Sequence, residues 1–249
     1  MAHAQAAERK EPNKQDEEII YVVPDESLGS YEEEVVVDNL PVDESLGSYE
    51  EEVVVDNLPV KDIVSAIRSE AEVNEAYRQP IPYVVITDGD KVLLYSRTKA
   101  GGEAKLFDRC SIGFGGHMTV MPDHPNLATQ DDLDYVIRRC IYKELDEEVP
   151  AVLDLAMPDG KLTFRQSGKL PLISLGTIRI GDSGSVDKVH LGLIYRLDIS
   201  GYTQTEKDKL LNCSGDQGLS NRVWVSKAEI GEYYEKLETW SKIAYDRLR

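Results

Sequence analysis

The chain has 249 residues, 41% of them hydrophobic and 30% charged, with a formal net charge of -18, a composition that suits a soluble globular protein of one large domain or two small ones. Its apolar runs, such as Ile19 to Val23 and Val53 to Val55, fall far short of the roughly 20 residues a membrane span needs. The polar N-terminus has no apolar signal core, so a cytoplasmic location without membrane contact is expected. Residues 1–60 hold 17 acids and three bases, and residues 61–249 hold 29 acids and 25 bases, which leaves no basic stripe for nucleic acid. Cys110, Cys140 and Cys213 are too few and too far apart for a disulfide framework or a zinc pattern.

Taken in order, residues 1–17 are polar and without periodicity and read as a disordered tail. Glu18 to Val23, followed by Pro24, suits a first strand. Residues 18–60 form an acidic N-terminal segment in which residues 25–42, DESLGSYEEEVVVDNLPV, recur letter for letter at 43–60. Two copies are too few for a solenoid. One copy is expected to pair with the domain and the other to be a tolerated surface insertion; an acidic interaction arm is the alternative. Residues 61–249 are read as one domain.

Apolar residues at Ile63, Ala66, Ile67, Ala71, Val73 and Ala76 fit a helix over Asp62–Tyr77 that Pro80 and Pro82 end. Tyr83–Thr87 and Lys91–Arg97, joined by Asp88-Gly89-Asp90, read as a β-hairpin. A loop opens at Ala100-Gly101-Gly102, Ser111–His117 is glycine-dense, and Met118–Gln130 continues as loop. Asp131–Val149 is the strongest helix in the chain and ends at Pro150. Strands follow at Leu172–Ile180, Val189–Asp198 and Val223–Ser226, then a terminal helix at Lys227–Arg249. Strands and helices alternate irregularly, the mark of a mixed α/β domain.

The helix from 131 carries the chemistry. At about 100° per residue, with Leu133 at zero, Ile137 lies near 40°, Cys140 near 340° and Ile141 near 80°. Glu144, Glu148 and Glu147 fall at about 20°, 60° and 320°, on that same apolar stripe. Three carboxylates facing inward repel one another, and desolvation costs several kcal/mol per ion. The helix C-terminus adds partial negative charge. A hard divalent cation relieves the conflict; an acidic helix end frayed into solvent is the bland alternative.

Lys143-Glu144-Leu145-Asp146-Glu147-Glu148-Val149 resembles the Nudix core Arg-Glu-apolar-x-Glu-Glu-x-Gly. Leu93–Arg97 followed by Gly113-Phe114-Gly115-Gly116-His117 resembles the strand and glycine loop that precede a Nudix helix. Ile81–Val85, Ser111–His117, Val189–Leu193 and Glu238–Ser241 together are similar to a predicted phosphoesterase branch of the MutT-like Nudix family. The resemblance runs through most of residues 80–249. It implies a Nudix-type α/β/α sandwich with a mixed central β-sheet, here preceded by the acidic extension. The chain departs from the signature at Lys143, which replaces a planar Arg fork with a point charge, at Pro150, which replaces Gly, and at Tyr135, where a Glu is expected. Asp132 or Asp134 is a candidate to stand in for that Glu.

The resemblance implies Mg²⁺ or Mn²⁺ held by Glu144, Glu147 and Glu148, with Glu144 and Glu148 catalytic and Glu148 the more plausible base. Gly115 and Gly116 lack a Cβ and permit close approach of a phosphate or metal. Arg97 suits phosphate oxygens. His117 is either a substrate contact or a loop-packing residue, and His190 within its apolar strand reads as a core histidine. Lys143 reads as an orienting residue or, preferably, the partner of a carboxylate on its own helix. The expected activity is metal-dependent cleavage of a phosphoanhydride in a nucleoside diphosphate linked to another group, or in a related phosphate ester. The alternatives are a catalytically weak nucleotide-binding module and an acidic-tail interaction protein. A small nucleotide or phosphate substrate is the expected partner, with a homodimer left open.

Overall fold

The computed structural model describes residues 17–28, 58–98, 109–156, 171–179, 186–212 and 219–248. The tail before residue 17, the loop at 100–102, Cys213 and most of the duplicated segment lie outside them.

A long strand, β3 (Tyr77–Asp88), is the axis of the sheet. On one edge it pairs in parallel with β8 (His190–Asp198) from Gln79↔His190 to Thr87↔Asp198, and β8 pairs antiparallel with β7 (Leu172–Arg179). On the other edge β3 meets three partners in turn. These are β1 (Ile19–Pro24) at Tyr77 and Arg78, β6 (Gly113–Gly115) from Tyr83 to Val85, and β4 (Lys91–Arg97) at Thr87 and Asp88. β4 also carries β5 (Cys110–Ser111) and β9 (Leu219–Ser226). One parallel ladder among antiparallel ones makes the sheet mixed, as expected.

Alternation along the strands builds two cores. Val84, Ile86, Leu93, Tyr95 and Phe114 face one side, against Leu133, Ile137, Ile141 and Leu145 of α2 (Gln130–Glu148). Tyr83, Val85, Val92, Leu94 and Ile112 face the other, against Ala244, Tyr245 and Leu248 of the last helix (Thr239–Leu248). Helices on both faces of a mixed sheet form the expected sandwich. Ile141 and Leu145 are fully buried, each contributing about 1.5–3 kcal/mol. At the start of α2, Thr129 accepts from the Asp132 N–H while the Asp132 carboxylate accepts from the Thr129 N–H at 2.9 Å, a capping box. Thr129 and the N–H groups of Ala128 and Thr129 hold the Asp132 carboxyl below its usual range.

Three expectations about elements are corrected. Asp62–Tyr77 is not one helix: Val64–Ile67 is strand β2, paired antiparallel with β1, and only Arg68–Ala71 (α1) is α-helical. The spacing of Ile63, Ala66 and Ile67 fits a helix, but the partner strand β1 is available and Val and Ile fit a pleated surface. Pro80 and Pro82 do not stop structure either. They lie inside β3, between its short pairings with β1 and β6, where a missing N–H breaks no ladder on that edge. The C-terminal helix is interrupted: Ile230–Lys236 is 3₁₀, and helix resumes at Thr239 because the Glu238 N–H is taken by the Cys110 carbonyl at 2.9 Å. Pro150 ends α2 and also opens α3 (Pro150–Ala156), where its lost N–H is harmless.

The duplicated segment enters the described structure only at its ends. Asp25–Leu28 of the first copy is 3₁₀ and Leu28 is fully buried; Leu58 of the second copy is 7% exposed in the same core. Deleting residues 43–60 keeps Asp25–Leu28 and places an identical Leu-Pro-Val directly before Lys61. Both buried leucine positions are therefore preserved, and the deletion variant is expected to melt within about 2 °C of the full chain, read by calorimetry. A drop of about 10 °C, several kcal/mol for a domain of this size, would show that both copies are integral.

Candidate active site

The glycine segment sits in a gap within the sheet. β3 and β4 pair only at the hairpin tip around Gly89, then diverge, and β5 and β6 fill the opening from Cys110 to Gly115. Buried polar groups hold it there. Tyr95 Oη donates to the Gly113 carbonyl at 2.6 Å. Ser241 Oγ accepts from the Ile112 N–H at 3.1 Å and lies 2.7 Å from Tyr83 Oη and 3.0 Å from Ser111 Oγ. Burial drives the Tyr83 and Tyr95 pKa values up, so both phenols stay protonated.

The glycines are required by close approach. A Cβ on Gly113 would lie 2.1 Å from the Tyr83 ring, and one on Gly115 would lie 2.4 Å from the Pro82 carbonyl. A Cβ on Gly116 would lie 2.4 Å from Glu144 Oε1, so this glycine shapes the space in front of the carboxylate. Cys140, one helical turn before Glu144, places its Sγ 3.4 Å from the carbonyls of Gly116 and His117. Burial keeps that thiol protonated, hence a donor.

The helix glutamates divide by cover. Glu144 is buried, 9% exposed, and burial raises its pKa above the usual carboxylate range. Lys143 Nζ lies 3.4 Å from Glu144 Oε1 and 3.9 Å from Glu147 Oε1, with its own side chain 52% exposed. The Lys143 charge opposes that rise but does not overcome the desolvation of the carboxylate, so Lys143 only partly balances Glu144. Glu148 is half-buried; its charge acts on Tyr95 and Arg97, and its carbonyl accepts from Arg222 at 2.9 Å. Glu147 corrects the reading of three inward carboxylates, since its side chain is 57% exposed. A helical-wheel angle gives direction, not cover: Gly116 stands over Glu144, whereas Glu147 meets the solvent-facing Lys143.

The other candidate residues are placed as follows. Arg97 Nε donates to Glu238 Oε1 at 2.8 Å, and its guanidinium lies 5.5 Å from the centre of the Tyr95 ring. Burial pulls its pKa down, while Tyr95, Glu238 and Glu148 raise it further than that, so it stays a cation. Asp132 is engaged in the helix cap and Asp134 with Gln130, and Tyr135 stacks on His124 at 4.7 Å. None of these three is tied to the glycine turn in the way Glu144 is. His117 and His190 lie edge to face at 5.5 Å, with Glu72 beside His117. Glu72 was missed because nothing in its local sequence marks it.

The four segments that carry the sequence resemblance meet here. Tyr83, the Ser111–His117 turn, His190 with Gly192, and Glu238 through Ser241 touch one another around the turn. Trp240 lies 5.8 Å from Tyr83 and fits against Gly192, where a Cβ would lie 3.2 Å from its ring.

No family model matches the chain. The crystal structure of Tm1382, described as a putative Nudix hydrolase, overlays with a TM-score of 0.55 across 93% of this chain and 98% of Tm1382, at 24% identity. That likeness, with the mixed sheet between helices and the glycine turn over α2, defines the Nudix hydrolase fold. Protein YmaB of Bacillus subtilis (strain 168) is 34% identical over 182 residues, 73% of this chain and 76% of YmaB. The chain belongs to the Nudix-fold family that includes YmaB.

Gly116→Ala tests the contact between turn and helix. The added methyl meets the far end of a flexible side chain, so Glu144 must move while the backbone need not. The variant is expected to melt within a few degrees of wild type and to lose most of any metal-dependent activity. A variant as active as wild type would show that the Glu144 position is unimportant.

Proposed function

We propose that this protein is a divalent-metal-dependent hydrolase that cleaves a phosphoanhydride bond in a nucleoside diphosphate linked to another group, or in a related phosphate ester. The observation that carries the reading is the buried Glu144 carboxylate facing the Cβ-free side of Gly116. Its desolvation is only partly offset by Lys143, and its oxygens occupy the space that a side chain on Gly116 would fill. Those features fit a hard cation, which prefers carboxylate oxygens.

In this reading Glu144 and Glu148 hold Mg²⁺ or Mn²⁺, and Glu147 contributes from the exposed side. Glu144 and Glu148 are four residues apart and share a helix face. An ion held there would offset the phosphate charge and acidify water. Glu148 is the residue placed to accept a proton as general base. Gly115 and Gly116 let phosphate oxygens approach the backbone, and Arg97, oriented by Glu238, offers a fixed positive charge to them. His117 borders the substrate from the end of the turn. Lys143 orients Glu144 and Glu147 along the helix.

The test is hydrolysis of a panel of nucleoside-diphosphate-linked compounds with Mg²⁺, Mn²⁺ or chelator. Turnover of at least one class is expected only with metal. Glu144→Gln and Glu148→Gln are each expected to lower kcat at least about 100-fold, roughly 2.7 kcal/mol of barrier, with melting temperature maintained. Binding across the panel without turnover in either metal would replace this reading with that of a nucleotide-binding module.

A further inference from the structure

Apart from the helix glutamates, three elements distant in sequence bring metal-type donors together. Glu72 follows α1, His117 follows the glycine turn and His190 opens β8. One ligand atom from each lies within 4.8 Å of the other two. Points no farther apart than that lie within about 2.8 Å (4.8/√3) of a common centre. A Zn–N bond is about 2.0–2.1 Å, so closing on an ion asks each side chain to move by less than about 1 Å.

The cluster is not an ordinary ion pair. Glu72 Oε1 is 3.5 Å from His117 Nε2, and among the described residues that buried nitrogen makes no hydrogen bond. Arg68 holds the Glu72 carboxylate at 3.4 Å and pairs in turn with Glu18 at 3.1 Å, the kind of outer support that fixes a ligand's orientation. Trp240 stands edge-on to His190 at 6.3 Å and forms an apolar wall.

We infer that Glu72, His117 and His190 form a cation site separate from the helix glutamates, selective for Zn²⁺ or a similar transition ion over Mg²⁺. Two imidazole nitrogens and one carboxylate suit such an ion, whereas Mg²⁺ demands oxygen ligands. Three protein ligands leave a fourth position open, the pattern of sites where the ion takes solvent or a substrate oxygen. His117 adjoins Gly116, so a phosphate-bearing compound at the glycine turn is the class of ligand that would reach it. The site does not depend on whether α2 binds Mg²⁺.

The test uses the full chain, stripped with chelator and titrated with Co²⁺ while visible absorption is recorded, followed by displacement with Zn²⁺. Wild type is expected to develop a ligand-field band that saturates near one equivalent, persists in millimolar Mg²⁺ and is lost to Zn²⁺. His117→Ala and His190→Ala are expected to weaken Co²⁺ binding at least tenfold. Glu72→Gln, at a more exposed position that tolerates change, does the same even if a histidine variant fails to fold. A Glu144→Gln, Glu148→Gln double variant is expected to keep the band while losing hydrolysis. Absence of the band in folded wild type overturns the site. So does a band unchanged by Glu72→Gln and either folded histidine variant, or one lost only in the glutamate double variant.

Discussion

A carboxylate buried against a backbone that has no Cβ is the constraint around which this fold is arranged. Glu144 is placed by α2, Gly116 by a segment wedged between two diverging strands, and the pair leaves less room than one methyl group needs. Burying the charge costs several kcal/mol, and the exposed Lys143 beside it returns only a fraction. Such a cost persists in a marginally stable domain only where the surrounding structure holds the group in place. Here Ile141 and Leu145 anchor the helix beneath it, and the serine and tyrosine hydroxyls anchor the turn above.

The C-terminal segment completes that arrangement from the opposite face of the sheet. Glu238 fixes Arg97 and ties its own N–H to Cys110; Trp240 occupies the notch at Gly192; Ser241 accepts from Ile112. Three nearly consecutive residues therefore reach a cation, a strand and the glycine turn. Their placement also explains why the last helix is broken at Glu238: its N–H goes to the Cys110 carbonyl, while the Leu237 N–H still closes on Tyr233 and Tyr234. Local helix preference gives way to a long-range contact that secures the site.

Much of the scaffold was legible in the sequence because its signals are local. The apolar runs Tyr83–Thr87 and Lys91–Arg97, the Gly89 turn, and the apolar stripe of α2 correspond to observed elements, although β3 begins earlier, at Tyr77. Glu144 was legible for the same reason, since its angle on the helix points it at the sheet. Cover was not legible. Glu147 has nearly as favourable an angle, yet it is exposed, because whether a loop lies over a helix face is set by chain that folds back from elsewhere. The same limit hid β2, whose helix-like spacing gives way to pairing with β1, and the meeting of Glu72 with His117 and His190 from three separate parts of the chain.

The central claim is that Glu144 is buried in order to hold a cation against the glycine turn. Crystals soaked in Mn²⁺ and measured at an energy where manganese scatters anomalously locate the ion directly. The account predicts an anomalous peak within coordination distance of the Glu144 carboxylate, beside Gly116, that disappears in Glu144→Gln. A peak only among exposed acids such as Asp146 and Glu147, or a Glu144 carboxylate turned out to solvent with no ion near it, would contradict it.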